Sequence, residues 1–282
     1  MLSKKTQISI FKKAALNRNF EELTYKYIES KKINFPTYLS AGQELISATI
    51  AQMCYELKCK PMIFAQHRCH STYLSFGGDI TKLIDELLGM KSGCTGGMGG
   101  SASIHSKKIK MYGHDGHMGT QLPIGVGSCF ASKKPTIVFL GDASTEEDYV
   151  MGALGWISLK KLPIVIVIED NDLSILTEKK IRRNWEMDNV GKAFNIESFN
   201  INDNPKDIYN LKNKFFKKPL LININTHRLF WHAGAGRDSD KTFDRYKNEK
   251  KKLGMIASKI HFKQNNDLVK LWEKRYAIRS KI

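Results

Sequence analysis

Two short apolar runs fix the centre of this chain. Thr136 to Leu140 ends in Gly141-Asp142-Ala143-Ser144, and Pro163 to Ile168 ends in Glu169-Asp170-Asn171. Both are strand-sized and apolar without alternation, as expected for strands covered on both faces in a parallel sheet. Between them, Glu146 to Leu159 sets Val150, Leu154 and Ile157 at helical spacing, so the segment predicts a βαβ unit. The carboxyl ends of the two strands then lie side by side, on the edge where open α/β sheets bind ligands. That edge carries the Asp142 carboxylate, the Asn171 side chain and the Leu173 carbonyl, hard oxygen donors of the kind Mg²⁺ prefers. Gly141-Asp142 alone also fits an ordinary crossover whose acid caps a helix. The spacing to Asn171 and the flanking sequence favour a ligand-bearing edge.

The rest of the chain reads more coarsely. Ile8 to Lys31 predicts an amphipathic helix, Ser40 caps a second that runs to about Leu57, and a third covers about Ile80 to Leu88. Gly93 to Gly100 is too rich in glycine for regular structure and predicts a loop. Asn204-Pro205 opens a helix to about Phe216, and Leu220 to Asn225 predicts a strand leading to a loop at His227 to Arg237. From Asp240 the chain is lysine-rich and predicted helical, with Trp272 and Tyr276 docking one face.

No internal repeat or low-complexity linker divides the 282 residues, so one domain over 1–282 with a helical tail from 240 to 282 is expected. The apolar runs fall well short of the ~20 residues of a membrane helix, and the start lacks the pattern of a signal peptide. Cys54, Cys59, Cys69, Cys94 and Cys129 contain no C-x-x-C pair, which argues against a disulfide framework or a zinc site and for a cytoplasmic protein. A net charge of +17 invites a nucleic-acid reading. The excess lies in short clusters such as Lys12-Lys13, Lys31-Lys32, Lys217-Lys218 and Lys250-Lys251-Lys252, without interleaved aromatics. Neither a nucleic-acid nor a membrane partner is expected; the lysines read as a solvated face or one turned to an acidic partner protein.

Five further segments carry a resemblance. They are Leu39-Ser40-Ala41-Gly42-Gln43-Glu44, His67-Arg68-Cys69-His70, the glycine-rich run from Gly93 to Ser101, the turn from Gly116 to Pro123, and His232 after a strand. Together with the Asp142 and Asn171 pair, and in this order, they resemble the alpha subunits of thiamine-diphosphate-dependent 2-oxo acid dehydrogenases of the pyruvate and acetoin type, from about Phe11 to about Tyr246. The resemblance implies a three-layer α/β fold, a mostly parallel central sheet flanked by helices, with thiamine diphosphate and Mg²⁺ as cofactors. It implies that Asp142 and Asn171 bind the metal through side chains and Leu173 through its carbonyl. Ala143 and Ser144 would offer backbone N–H groups to the diphosphate, and Arg68 would pair with a phosphate through its guanidinium fork. Gly116 and the Met118 backbone would contact the aminopyrimidine, and Tyr38, His67 and His232 would complete the cofactor wall. His232 is the expected catalytic histidine, stabilising oxyanions or moving protons near neutral pH, with His70 as second candidate.

The implied reaction is decarboxylation of a small-molecule 2-oxo acid with transfer of the acyl group to an acceptor. In this family the glutamate that activates the aminopyrimidine belongs to a beta subunit, and this chain offers no position for it. An α₂β₂ assembly is therefore implied, with a lipoyl-bearing acyltransferase as a further partner.

Several residues depart from the family pattern. Ala143 replaces the second glycine of Gly-Asp-Gly, Asp170 replaces the first asparagine of a pair, and His67 replaces a tyrosine. Tyr38 stands for a common histidine, His117 for an aliphatic residue, and Gly152 for a common glutamate. The loop Ala233-Gly234-Ala235-Gly236-Arg237-Asp238 differs from the serine-containing loop of pyruvate dehydrogenase. Two alternatives stay open on these grounds: a carboligase or ketol transferase acting on an aldehyde or sugar acceptor, to which His67 and His117 would be suited, and a cofactor-binding subunit without turnover.

Overall fold

The computed structural model describes residues 2–238 and 243–281. Helix α1 (Lys4–Glu29) opens the chain, capped by Ser3, whose Oγ accepts from the Thr6 N–H, and it packs against α2 (Glu44–Glu56). Strand β1 (Met62–Phe64), helices α3 (His70–Ser75) and α4 (Ile80–Leu87), and strand β2 (Met111–Tyr112) follow. Helix α5 (Gln121–Ser132) leads into the predicted unit of β3 (Thr136–Gly141), α6 (Asp148–Lys160) and β4 (Ile164–Asp170). A small hairpin of β5 (Leu173–Ser174) and β6 (Thr177–Glu178) passes into the short α7 (Lys179–Arg182) and α8 (Met187–Ala193). Strand β7 (Glu197–Asn202), α9 (Pro205–Asn210) and β8 (Leu220–Asn225) complete the sheet, and α10 (Arg245–Leu253) and α11 (Met255–Arg279) close the chain.

Six strands form one sheet in the order β2-β1-β3-β4-β8-β7, with every neighbouring pair parallel. Alternate residues of the central strands feed two cores. Ile137, Phe139, Val165 and Val167 pack with Phe20, Ile50, Leu83 and Trp272 on one face. Val138, Leu140, Ile166 and Ile168 pack with Val126, Val150, Leu154 and Ile157 on the other. Helices thus cover both faces, the three-layer arrangement expected.

Element boundaries differ from expectation for local reasons. Ser40 does not cap α2: its hydroxyl donates to the buried Glu21 carboxylate. Gly42 has φ +102°, and a Cβ there would lie 2.1 Å from the His227 carbonyl oxygen, so the helix starts only at Glu44. Ala143–Glu146 forms a separate 3₁₀ turn ahead of α6, and the helix opened by Asn204 ends at Asn210. The tail is helical from Arg245; residues 240–242, where it was expected to begin, lie outside the described residues. Trp272 is fully buried, with ring centroids 4.5 Å from Tyr27 and 5.7 Å from Phe20, and Tyr276 lies 5.6 Å from Tyr27. Arg18 ties this tail to the body through two bonds to Asp244 at 2.8 and 2.9 Å and a buried pair with Glu44.

Candidate active site

The site lies at the carboxyl edge of β1, β3 and β4. Parallel register sets Gly141 opposite Glu169, so the turn after β3 and the loop after β4 face each other. Asp142, Ala143, Ser144, Asn171 and Leu173 line a cavity of about 370 Å³ together with Tyr38, His67, Arg68, Gly116, Met118 and His232. Every predicted site residue except His70 therefore lines this one cavity.

Asp142 is 2% exposed. Burial, then the charge of Asp170, pushes its carboxyl up to about 6, against the pull of Arg182 and Arg183. The Arg182 guanidinium pairs with the Asp142 carboxylate and with Glu146. Arg183 donates to the Asp142 carbonyl at 2.9 Å and to Thr145 Oγ1 at 2.6 Å. Asn171 donates to Gln43 Oε1 at 3.2 Å and accepts from the Leu173 N–H at 3.2 Å, so Gln43, which does not itself line the cavity, supports Asn171 from behind. Among the described residues no group of three or more His, Cys, Asp or Glu is set to hold a metal. The donors on this edge are instead one carboxylate, one amide and backbone carbonyls.

The departures from the family pattern are locally compensated. Ala143 keeps an ordinary negative φ, since it is not among the positive-φ residues. The extra carboxylate of Asp170 is met by Lys179 Nζ at 2.8 Å and by the Asn223 amide at 3.0 Å. Gly152 lies exposed on α6 with open space where a side chain would stand.

Opposite the Asp142 turn stands a cluster of rings. His67 lies 4.8 Å from Tyr38, 5.4 Å from His232 and 5.8 Å from His114, centroid to centroid. Burial, with Arg68 beside them, holds the His67 pKa well below its ordinary value and His232 down to about 4. Burial also lowers His114. All three rings are neutral at pH 7. His114 Nδ1 accepts from the Gly116 N–H at 2.9 Å, which leaves the ring proton on Nε2. Among the described residues, His114 Nε2, His67 Nε2 and Gln121 Oε1 are buried without a protein partner. Such atoms in a cavity wall can be satisfied by water or by a polar ligand.

Arg68 does more than face the cavity. Its guanidinium donates to the Leu39 carbonyl at 2.8 Å and the His232 carbonyl at 3.2 Å, so it also sets the loop that presents His232. Burial pushes its pKa down to about 10, and it remains charged at neutral pH.

His70, the second catalytic candidate, does not line the cavity. It is fully buried outside the cavity, with Nδ1 3.2 Å from both Glu21 oxygens and Nε2 2.9 Å from Ser101 Oγ. Ser101 Oγ in turn accepts from the Tyr38 N–H at 2.9 Å. His70 is thus linked through Ser101 to the Tyr38 backbone. His117 is exposed and does not line the cavity either. His114, which the sequence reading missed, takes that place; the only signal was its position two residues before the Gly116 turn. Arg182 and Arg183 were missed as well, because a basic pair on a short helix looks like any solvated cluster.

A parallel α/β sheet with a cavity at its carboxyl edge is the arrangement in which open α/β proteins bind ligands. The description of the dehydrogenase E1 component family matches residues 11–271, and the chain belongs to that family. It is 29% identical over 248 residues to the pyruvate dehydrogenase E1 component subunit alpha of Rickettsia prowazekii, covering 82% of this chain and 74% of the relative. It is 30% identical over 169 residues to the mitochondrial subunit alpha-1 of Oryza sativa subsp. japonica, covering 58% of this chain and 43% of the relative. Among solved structures it is similar to transketolase from Campylobacter jejuni, with a TM-score of 0.63 and 16% identity over 96% of this chain. Transketolase from Leishmania mexicana matches with a TM-score of 0.59, 16% identity and 97% of this chain covered. The chain spans just under half the length of these transketolases, 48% and 47%, and at this identity the likeness shows the fold alone. Among the described residues no helix is long and apolar enough to cross a membrane.

Proposed function

We propose that this chain is the alpha-type subunit of a thiamine-diphosphate-dependent enzyme that decarboxylates a 2-oxo acid and passes on its acyl group. The observation that carries the reading is the convergence of residues from separate segments, Tyr38 to His232, on one cavity at the carboxyl edge of β3 and β4. The residues present fit the cofactor. Asp142 and Asn171 supply oxygen donors for Mg²⁺, with Leu173 beside them on the same wall. The Asp142 carboxylate is at present paired with the Arg182 guanidinium, which a metal ion would have to displace. The orphaned atoms of His67, His114 and Gln121 offer polar partners to the rest of the ligand.

When bound, thiamine diphosphate supplies the electron sink for loss of carbon dioxide. The protein orients and stabilises. Ala143 and Ser144 would face the diphosphate, and Gly116 and Met118 the aminopyrimidine. Gly119 needs its glycine: at φ +82°, a Cβ would lie 2.7 Å from the Ser144 carbonyl oxygen, so the turn packs directly on the Asp142 loop. A ring whose conjugate acid has a pKa near 4 is a weak base. His232 is therefore better suited to donate a hydrogen bond to developing negative charge than to carry a proton. A beta-type partner would close the cavity and supply the missing glutamate, and a lipoyl-bearing acyltransferase would take the acyl group.

The test is turnover of a panel of 2-oxo acids, with an artificial electron acceptor, by the chain co-produced with a beta-type partner. His232→Asn should lower kcat by about 10²- to 10³-fold, the usual effect of removing an oxyanion donor. No turnover by the pair, or an unchanged rate in the variant, contradicts the proposal.

A second reading is favoured by the unpartnered nitrogens of His67 and His114, which would suit a hydroxylated acceptor such as an aldehyde or sugar. A screen with and without a lipoyl acceptor separates the two: carbon–carbon bond formation on the aldehyde without lipoyl transfer would establish the second.

A further inference from the structure

A second cavity, of about 650 Å³, opens at the amino end of β1 and β2, on the opposite edge of the sheet. Lys13 of α1, Lys58 and Lys60 before β1, and Lys108 and Lys110 before β2 all contribute to its lining. Among the described residues the lining contains no carboxylate, and none of these lysines forms an ion pair. Glu56, next to Tyr55 in the chain, is already engaged by Lys212 at 2.8 Å.

The lysines come from three separate parts of the chain, so the basic character is built by the fold and does not follow from one charged run. Four of them are exposed, and Lys13 is half-buried. Lys13 Nζ donates to the Ser75 carbonyl at 3.2 Å. Desolvation holds its pKa below the ordinary lysine value. An ammonium partly removed from water without a counter-ion gains more from a bound anion than a solvated one does. Between the lysines the wall is apolar, with Cys54, Ile63, Phe76 and Ile109. The volume is that of a small-molecule site.

We propose that this cavity binds a small organic polyanion, with phosphate or carboxylate groups on the lysines and a carbon skeleton against the apolar wall. It is separate from the cavity at the carboxyl edge, with which it shares no lining residue. The assignment does not depend on the reaction proposed there.

Pyridoxal 5′-phosphate tests it on the full chain. The phosphate seats among the lysines, and the aldehyde condenses with an unprotonated Lys13 amine to an imine, releasing water. Borohydride then delivers hydride to the imine carbon and fixes the label for peptide mapping. The expected result is saturable labelling of Lys13 ahead of the exposed lysines. Citrate or 2-phosphoglycerate should protect it, and their relative strengths tell carboxylate from phosphate preference. The double variant Lys60→Gln, Lys110→Gln should lower labelling at Lys13 at least tenfold, and Asp142→Ala should leave it unchanged. Labelling that follows solvent exposure across the lysines, or labelling of Lys13 that neither anion nor the double variant affects, overturns the proposal.

Discussion

Arg182 pairs with Asp142, the carboxylate proposed above to bind a divalent cation. The two side chains are 12% and 2% exposed, and Arg182 also grips Glu146. A hydrogen bond between charged groups in such a setting contributes about 1.5–3 kcal/mol. A cation that binds only after Arg182 lets go loses that free energy from its apparent affinity. At 1.4 kcal/mol per factor of ten, Arg182→Gln should tighten binding by roughly 10- to 150-fold. Mn²⁺ titrated without thiamine diphosphate and followed by electron paramagnetic resonance isolates the effect, since no diphosphate is present to interact with the arginine. Measurement at pH 8 keeps Asp142 ionised, because its carboxyl lies at about 6. Asp142→Ala should abolish binding in either background. Unchanged or weaker Mn²⁺ binding in Arg182→Gln would refute the competition, and would recast Arg182 as part of the cation's own support.

Three further outcomes are expected. His232 has a folded pKa of about 4; since the unfolded imidazole titrates near 6.5, the unfolded state binds the extra proton, and stability falls as pH drops from about 6.5 towards 4. Urea unfolding at pH 7 and pH 5 should show that loss reduced in His232→Asn, and an equal loss in both proteins would contradict the assignment. Gly119→Ala combines φ +82° with a 2.7 Å approach to the Ser144 carbonyl oxygen, so it should cost more than the roughly 1 kcal/mol of an ordinary glycine effect, read as a lowered Tm. Glu86 accepts the N–H groups of Thr95, Gly97, Gly99 and Gly100 at 2.7, 3.0, 2.8 and 3.2 Å, so Glu86→Ala should open the 93–100 loop to limited proteolysis while wild type resists. Equal cleavage of the two would show that other contacts hold the loop.

How much of this was legible in the sequence follows from where burial leaves a pattern. Strands β3 and β4 are covered on both faces and read as unbroken apolar runs. β1 and β2 have three and two residues, too few for any period, and β7 lies at the sheet edge with its burial interrupted at Glu197, Asn200 and Asn202. Ser40 looked like a cap because a serine before an apolar run usually is one. The competing partner, Glu21, is contributed by α1, and no local rule could reveal it.

The same distinction holds for the site. Asp142, Asn171, Arg68 and Gly116 sit in segments whose spacing repeats a recognised order, so their convergence could be expected. His70 shares such a segment, yet its ring turns to Glu21 and Ser101; a motif names a residue without saying which side of the backbone it serves. His114, Arg182 and the five lysines of the second cavity depend on contacts between distant parts of the chain, which only the fold brings together.

The central claim is that the cavity at the carboxyl edge binds thiamine diphosphate with a divalent metal. Isothermal titration of thiamine diphosphate with Mg²⁺ into the chain co-produced with its beta-type partner, comparing wild type with Asp142→Ala, tests it most directly. Tight, metal-dependent binding that disappears in Asp142→Ala is the predicted result. No binding in the reconstituted complex, or binding indifferent to metal and to Asp142, would contradict it.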